Sequence, residues 1–113
     1  MDAQDLEERV VAFAQARDWS QFHDPKNLIM ALTSEVGELA DLFRWVRNEA
    51  ADEAARNEPM RAALRAELGD VGILFLLLCH RAGLRMEDVV LRKLEQNEVN
   101  YPVDGSRGLA GRP

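Results

Sequence analysis

Two short acidic phrases in the sequence combine the residue types and the spacing that metal chemistry needs. Glu35-Val36-Gly37-Glu38 and Glu67-Leu68-Gly69-Asp70 each consist of an acid, a branched apolar residue, a glycine and an acid. Residues three apart share one face of a helix, so each phrase places two carboxylates side by side. Apolar residues at spacings of three and four put both pairs where core residues are expected. Carboxylates that face an apolar interior are costly and repel one another, so a bound cation is the simplest compensation.

The carboxylate set also predicts which ion is bound. Glu35, Glu38, Glu67 and Asp70 are the candidate metal ligands, and ligation by carboxylates alone selects Mg²⁺, with Mn²⁺ as a substitute, rather than zinc. Solvated helix faces are the alternative, since two such pairs are also expected by chance in a chain with twenty acids. The glycine in each phrase costs about 1 kcal/mol relative to alanine, and it indicates close backbone approach or room for a ligand.

An antiparallel pair of helices would bring the two phrases to one level. With the turn centred near residues 52 and 53, the arms back to Glu38 and forward to Glu67 have nearly equal length. Their helical parts extend roughly 14 and 12 Å at about 1.5 Å per residue. The register therefore lets the four acids share one pocket.

The hydrophobic periodicity predicts an all-α protein. Asp24-Pro25 is an N-cap followed by proline at the first helical position, and Gly83 is a left-handed helix stop. We expect a partly helical connection over residues 49–58. The four expected helices cover about residues 2–17, 25–48, 59–81 and 86–100.

Composition limits the domain count and the partners. We expect one domain over residues 1–103 and a flexible tail over 104–113, where three glycines occur. The formal net charge of −6 argues against a nucleic-acid polymer or an anionic membrane as partner. The longest apolar stretch, residues 71–79, is far too short to span a bilayer, and no signal peptide is apparent. A cytoplasmic location is therefore expected.

The third expected helix predicts an oligomer. Residues 73–78 are apolar on every side, which is typical of a helix surrounded by others. Four short helices do not enclose such a helix in a monomer, so we expect the four-helix bundle to be completed by a partner subunit.

Several further side chains are candidates for substrate contacts. Lys93, Asn97 and Tyr101 recur at helical spacing and would supply a cation, an amide and a phenol along one side, although a single such lysine is usually just exposed. Each tryptophan, Trp19 and Trp45, either packs in the core, the more common role, or stacks on a base. His23 either forms a local hydrogen bond in its loop or contacts substrate.

Taken in order, the motifs resemble a known family, the all-α nucleoside triphosphate pyrophosphohydrolases or MazG-like group, and within it the dCTP pyrophosphatases. The resemblance covers about residues 13–103. It is carried by Arg17-Asp18-Trp19, Phe22-His23-Asp24-Pro25, Lys26-Asn27-Leu28, Glu35-Val36-Gly37-Glu38-Leu39-Ala40, Leu42-Phe43-Arg44-Trp45, Glu67-Leu68-Gly69-Asp70-Val71, and Lys93 with Asn97, Tyr101 and Pro102.

This resemblance implies a chemistry and an assembly. The four acids would hold Mg²⁺ on a triphosphate, and water would attack the α-phosphorus to release a nucleoside monophosphate and pyrophosphate. Either Glu35 or Glu38 would accept the proton of that water. The implied assembly is a homotetramer, a dimer of dimers, rather than a dimer. In the implied substrate site, the base is walled by Trp19 and Trp45 while phosphate or sugar is contacted by Lys93, Asn97 and Tyr101.

The resulting hypothesis is a Mg²⁺-dependent pyrophosphohydrolase that clears a dNTP, dCTP or a modified pyrimidine nucleotide, from the nucleotide pool. The base preference stays open because Val10 stands where the mammalian dCTP enzymes carry a histidine. Two alternatives remain. One is phosphoribosyl-ATP pyrophosphohydrolase activity on the same fold, and the other is a non-catalytic helical oligomerisation or regulatory module with a structural ion.

Overall fold

Five α-helices make up most of residues 1–109. The computed structural model describes residues 1–109, and no β-strand occurs among them, so the all-α prediction is confirmed. The helices are α1 at Ala3–Ala16, α2 at Pro25–Phe43, α3 at Ala51–Arg56, α4 at Met60–Arg81 and α5 at Met86–Asn100. Two 3₁₀ turns, at Trp19–Phe22 and Asn48–Ala50, and a single turn at Val103–Ser106 complete the elements.

Side-chain caps fix the beginnings of α1 and α2. The Asp2 carboxylate accepts from the Asp5 backbone N–H at 2.8 Å, and the Asp5 carboxylate accepts from the Asp2 N–H at 3.3 Å. Asp24 accepts from the Asn27 N–H at 3.0 Å, as the Asp24-Pro25 pattern predicts. Such caps satisfy backbone donors that a helix leaves unpaired at its first turn. Gly83 follows α4 with φ +70°, so the predicted left-handed stop is confirmed.

The end of α2 differs from the sequence expectation. The periodicity predicts a helix to near Asn48, whereas α2 ends at Phe43. The Val46 N–H donates to the Phe43 carbonyl at 3.0 Å, and this bond closes the helix in a tight turn. The chain reaches α4 through the Asn48–Ala50 turn and α3, so the expected partly helical connection is confirmed.

The core lies where α1, α2 and α4 meet. Its main cluster is Ala14, Leu28 and Leu77, with Leu28 only 2% exposed, and Val10 and Leu74 are among the half-buried residues packed against it. The α2–α4 pair has the most extensive contact between any two elements. Because α2 and α4 carry the two acidic phrases, the best-packed pair of helices is also the pair that positions the acids.

Helix α5 makes few contacts with the other helices. Its apolar residues Val90, Leu91 and Leu94 are each about half exposed. Its contacts with α4 are few. Within residues 1–109 no helix is long and apolar enough to cross a bilayer.

The expected flexible tail over residues 104–113 is described in part. The Arg107 N–H donates to the Val103 carbonyl at 3.1 Å, which closes a turn whose inner residues, Asp104 and Gly105, have non-helical dihedral angles. Residues 110–113 lie outside the described residues. The flexibility of the tail stays a prediction.

Candidate metal and nucleotide site

Three of the four predicted ligands converge between α2 and α4. Glu35 and Glu38 on α2 and Glu67 on α4 each offer a carboxylate oxygen within 4.8 Å of the others. Glu35 and Glu67 are half-buried, and Glu38 is exposed. Asp70 is outside this triad, although its charge acts on Glu35 from the next turn of α4. The packing of α2 against α4 therefore brings three of the four acids together, and the role of all four as metal ligands stays a prediction.

The triad contains two carboxylate oxygens that nothing satisfies. Oε2 of Glu35 and Oε2 of Glu67 are both buried and have no hydrogen-bond partner among residues 1–109. A buried acceptor without a partner destabilises a protein, and a buried anion does so more strongly. A hard divalent cation would coordinate both oxygens, so the donor set fits Mg²⁺ or Mn²⁺.

The pKa of Glu35 also indicates that negative charge is poorly compensated at this site. Its pKa is raised above the usual 4.5, first by the contact with the Glu67 carboxyl, which forms a hydrogen bond only when the two share a proton. Burial and the charges of Glu67 and Asp70 raise the pKa further, while a hydrogen bond with Glu38 lowers it. The negative charge of the Glu35 carboxylate is therefore unfavourable in this site, and a bound cation would neutralise it.

The glycines of the two phrases do not serve close helix packing within the chain. A Cβ atom built on Gly37 or Gly69 meets nothing within 4 Å. The expectation of close backbone approach is therefore wrong within the described chain. Each glycine lies two residues after the first acid of its phrase, about 200° around the helix, so the open space faces away from Glu35 and Glu67. That space is available to a ligand or to another subunit.

Trp19 lies in the 3₁₀ turn between α1 and α2, packed against one aromatic ring. Its ring meets the Phe13 ring edge-on, with the centroids 5.7 Å apart and the planes at 74°. The Arg17 guanidinium covers Phe13 at 3.7 Å from the ring centroid and donates to the Phe13 carbonyl at 2.9 Å. Because Trp19 is still 45% exposed, its ring has surface free for a stacking partner.

Trp45 and His23 occupy different environments. Trp45 follows α2 in a turn and is 89% exposed, so it is not a core residue in this chain. His23 is half-buried and lines a cavity together with Ser20, His80 and Arg81. Its backbone N–H donates to the Ser20 carbonyl at 3.1 Å, so part of the local bonding expected of this loop is present.

Lys93 and Asn97 lie one turn apart on α5, and Tyr101 directly follows the last residue of the helix. Lys93 and Asn97 line a shallow groove whose walls come from α5 alone, and the Tyr101 N–H donates to the Asn97 carbonyl at 2.7 Å. This groove does not include the acids of α2 and α4. The described chain by itself therefore does not join the α5 residues to the carboxylate triad.

Sequence reasoning missed the contacts that support Trp19. Phe13 lies in the last turn of α1 and Arg17 directly follows the helix, a spacing of four that allows one side chain to cover the other. Arg81 donates to the Ser20 carbonyl at 2.9 Å across 61 residues of chain, a contact with no signal in the sequence.

With the site described, comparison with known proteins identifies the family. The profile of the MazG nucleotide pyrophosphohydrolase domain matches residues 23–100, more than half of the chain. The chain belongs to the MazG family. The MazG match includes both acidic phrases together with Lys93 and Asn97. It begins at His23, just after the Trp19 turn.

Relatives of this MazG chain include dCTP pyrophosphatase 1 of Bos taurus, 43% identical over 107 residues, and the same protein of Homo sapiens, 39% identical over 104 residues. The alignments cover 95% and 92% of this chain, which spans 63% and 61% of the length of those relatives. A solved pyrophosphatase from Archaeoglobus fulgidus has the same fold, with a TM-score of 0.80 and 33% identity over 88% of this chain and 91% of that one. The MazG-like resemblance read from the motifs is confirmed.

Proposed function

We propose that this chain is a Mg²⁺-dependent nucleoside triphosphate pyrophosphohydrolase that converts a dNTP to the monophosphate and pyrophosphate. The observation that carries the proposal is the carboxylate triad with two buried, unpartnered oxygens between α2 and α4. The identity to dCTP pyrophosphatase 1 supports dCTP or a modified pyrimidine nucleotide as substrate. The cytoplasmic location stays a prediction.

Glu35, Glu38, Glu67 and Asp70 are the proposed metal ligands. Glu35 and Glu67 would direct their buried oxygens at the ion, while Glu38 and Asp70 complete an all-oxygen donor set. When bound, Mg²⁺ would neutralise the triphosphate and make a coordinated water more acidic.

Glu35 and Glu38 are the proposed proton acceptors for the attacking water. Glu38 is exposed to solvent, and one of its carboxylate oxygens lies within 4.8 Å of a carboxylate oxygen of Glu35. A carboxylate in this position takes the proton as the oxygen–phosphorus bond forms, and general-base action of this kind contributes about 10²–10⁴-fold in rate.

The substrate contacts are proposed for six residues. Exposed Trp19 and Trp45 supply aromatic faces that suit stacking on a base. The cation of Lys93 suits phosphate, and the side chains of Asn97 and Tyr101 suit phosphate or sugar. His23, beside the Trp19 turn, completes the proposed set.

A homo-oligomer, with a tetramer built as a dimer of dimers, is proposed as the active assembly. The accessible surface of the chain is 8761 Å², against about 6,200 Å² for a compact monomer of this mass. Its radius of gyration is 17.1 Å, against about 13 Å for a compact domain of this length. The excess surface is of the size that obligate subunits bury, and the half-exposed apolar residues of α5 are part of it.

A panel of dNTPs with product identification tests the proposal. We expect a deoxynucleoside monophosphate and pyrophosphate from a pyrimidine dNTP, and no product after EDTA treatment. Glu38→Gln should lower kcat by about 10²–10⁴-fold without unfolding the protein, because this side chain is exposed.

Three outcomes contradict the proposal. Release of a diphosphate and orthophosphate would place the attack at the γ-phosphorus. Turnover of phosphoribosyl-ATP in preference to every dNTP would reassign the substrate. Metal-dependent stability without turnover of any nucleotide would mark a helical module with a structural ion.

A further inference from the structure

The turn that carries Trp19 is separated from α4 by a cavity. The connector, residues 18–23, faces α1 and α4 across a space of about 140 Å³ lined by Ser20 and His23 on one side and by Leu77, His80 and Arg81 on the other. Side chains that border a void lose van der Waals contact on that side. Apolar packing therefore does not hold the connector against α4 here.

One polar contact crosses this gap. Nη1 of Arg81, in the last turn of α4, donates to the Ser20 carbonyl at 2.9 Å. Both ion pairs of the described chain involve other residues, Asp41 with Arg44 and Arg85 with Glu87. Among residues 1–109 the Arg81 guanidinium is therefore directed to the connector backbone rather than to an acid.

A second contact ties the other end of the connector to α2. Nδ2 of Asn27 donates to the Phe22 carbonyl at 3.1 Å. The connector is thus attached on one side to the helix that carries Glu67 and on the other to the helix that carries Glu35. The residue next to Ser20 is Trp19, whose ring also rests on Phe13.

We propose that Arg81 is a positioning residue for the nucleotide site. Its hydrogen bond to Ser20 fixes the Trp19 ring relative to α4, and with it the distance between the base-stacking surface and the acids that hold the metal ion. The expected effect of Arg81 on substrate binding rests on the proposed function, because it needs Trp19 to contact the base. The expected effect of Arg81 on the position of the Trp19 ring does not depend on that function.

A purely structural role for Arg81 is the alternative. A cation in the last turn of a helix stabilises the negative end of the helix dipole wherever its side chain points. In that case Arg81→Lys would behave as the wild type, and Arg81→Met would lower only the melting temperature. A readout on Trp19 separates the two roles.

The first experiment observes Trp19 directly in a Trp45→Phe background, where it is the sole tryptophan. Arg81→Met should lower the fluorescence anisotropy of Trp19 and increase its quenching by acrylamide, and Arg81→Lys, which keeps one donor group, should give intermediate values. Arg61→Met is the matched control, because Arg61 is an exposed arginine on the same helix. Trp19 should be unchanged in that variant.

The second experiment measures steady-state kinetics in the chain with both tryptophans. Arg81→Met should raise KM for the dNTP by roughly tenfold, with kcat and the Mg²⁺ dependence little changed, because stacking on the base is equally strong in the ground state and the transition state, and loss of such binding raises KM alone. If the methionine variant does not fold, the lysine variant is expected to show a smaller rise in KM.

Two results would overturn the positioning role. One is unchanged Trp19 anisotropy and quenching in folded Arg81 variants, or the same change in the Arg61 control. The other is a loss of kcat with KM unchanged. Absence of turnover in the wild type would reject the proposed function instead, and the fluorescence arm would still decide whether Arg81 holds the connector.

Discussion

The Glu35 carboxyl on α2 lies against the Glu67 carboxyl on α4, and this contact is the largest cause of the raised pKa of Glu35. Within the part of the chain that the structure describes, the buried Oε2 atoms of the two residues have no hydrogen-bond partner. Two acids held together in this way destabilise the metal-free protein, and the same arrangement becomes favourable once a cation is shared between them.

The first prediction concerns Glu67→Gln. The amide can donate a hydrogen bond to Glu35 and carries no charge, so the metal-free variant should melt at a higher temperature than the metal-free wild type. The rise in melting temperature that Mg²⁺ gives the wild type should largely disappear. Thermal unfolding in EDTA and in excess Mg²⁺ measures both effects.

Glu95→Gln is the control for this comparison, because it removes one negative charge from an exposed position on α5. It should leave the response to Mg²⁺ intact. If Glu67→Gln melts at a lower temperature than the wild type in EDTA, the acids are not in conflict and the interpretation of the site is wrong.

The second prediction is a pH dependence of stability. Since the pKa of Glu35 is raised in the folded protein, the folded state retains a proton that the unfolded chain releases above about 4.5. The contribution of Glu35 to the stability of the metal-free protein should therefore fall as the pH rises from below 4.5 through the raised pKa.

The measurement is the difference in unfolding free energy between the wild type and Glu35→Gln across this pH range in EDTA. Taking a difference is necessary because Glu87, whose pKa is lowered chiefly by a backbone hydrogen bond, has the opposite pH dependence. A difference that stays flat with pH would contradict the raised pKa of Glu35.

The third prediction compares two glycines in and after α4. Gly69→Ala should stabilise the chain by roughly 0.5–1 kcal/mol, because the new methyl group meets nothing within 4 Å and alanine favours the helix. Gly83→Ala should destabilise it by about 1–2 kcal/mol, since φ is +70° at that position. Chemical denaturation measures both. Loss of stability in Gly69→Ala would instead mean that another subunit approaches this face.

The α2–α4 site could be predicted because its determinants are local and periodic. Acids three apart share a helix face, Asp24-Pro25 sets where α2 begins, and the two arms around the connection have similar lengths. These features act within a few turns of helix, where the 3.6-residue repeat relates sequence to position.

Other features depend on contacts that leave no periodic signal. The Arg81–Ser20 hydrogen bond joins a side chain to a carbonyl group, and any residue at position 20 would supply that carbonyl. The exposure of Trp45 depends on which surfaces pack beyond α2, and its side chain alone does not determine it. The glycine of each acidic phrase has two physical uses, and the sequence does not distinguish between them.

The fourth prediction concerns the apolar side of α5. Leu91 is about half exposed in the described chain, as are Val90 and Leu94 beside it. Contiguous apolar surface of this kind marks an interaction site, and a carboxylate placed in it would have to be buried when subunits associate. Leu91→Glu should therefore shift the protein to a smaller species in sedimentation velocity.

Gln96→Glu introduces the same charge on the polar side of α5 and should leave the assembly unchanged. Because Lys93 and Asn97 line a groove formed by α5 alone, a proposed site that needs them is incomplete in the isolated chain. Leu91→Glu should accordingly raise KM for the dNTP to the same extent as it dissociates the subunits. Circular dichroism at the same protein concentrations should show that the helices are retained. A wild type that sediments as a monomer with full activity would show that α5 reaches the acids within one chain.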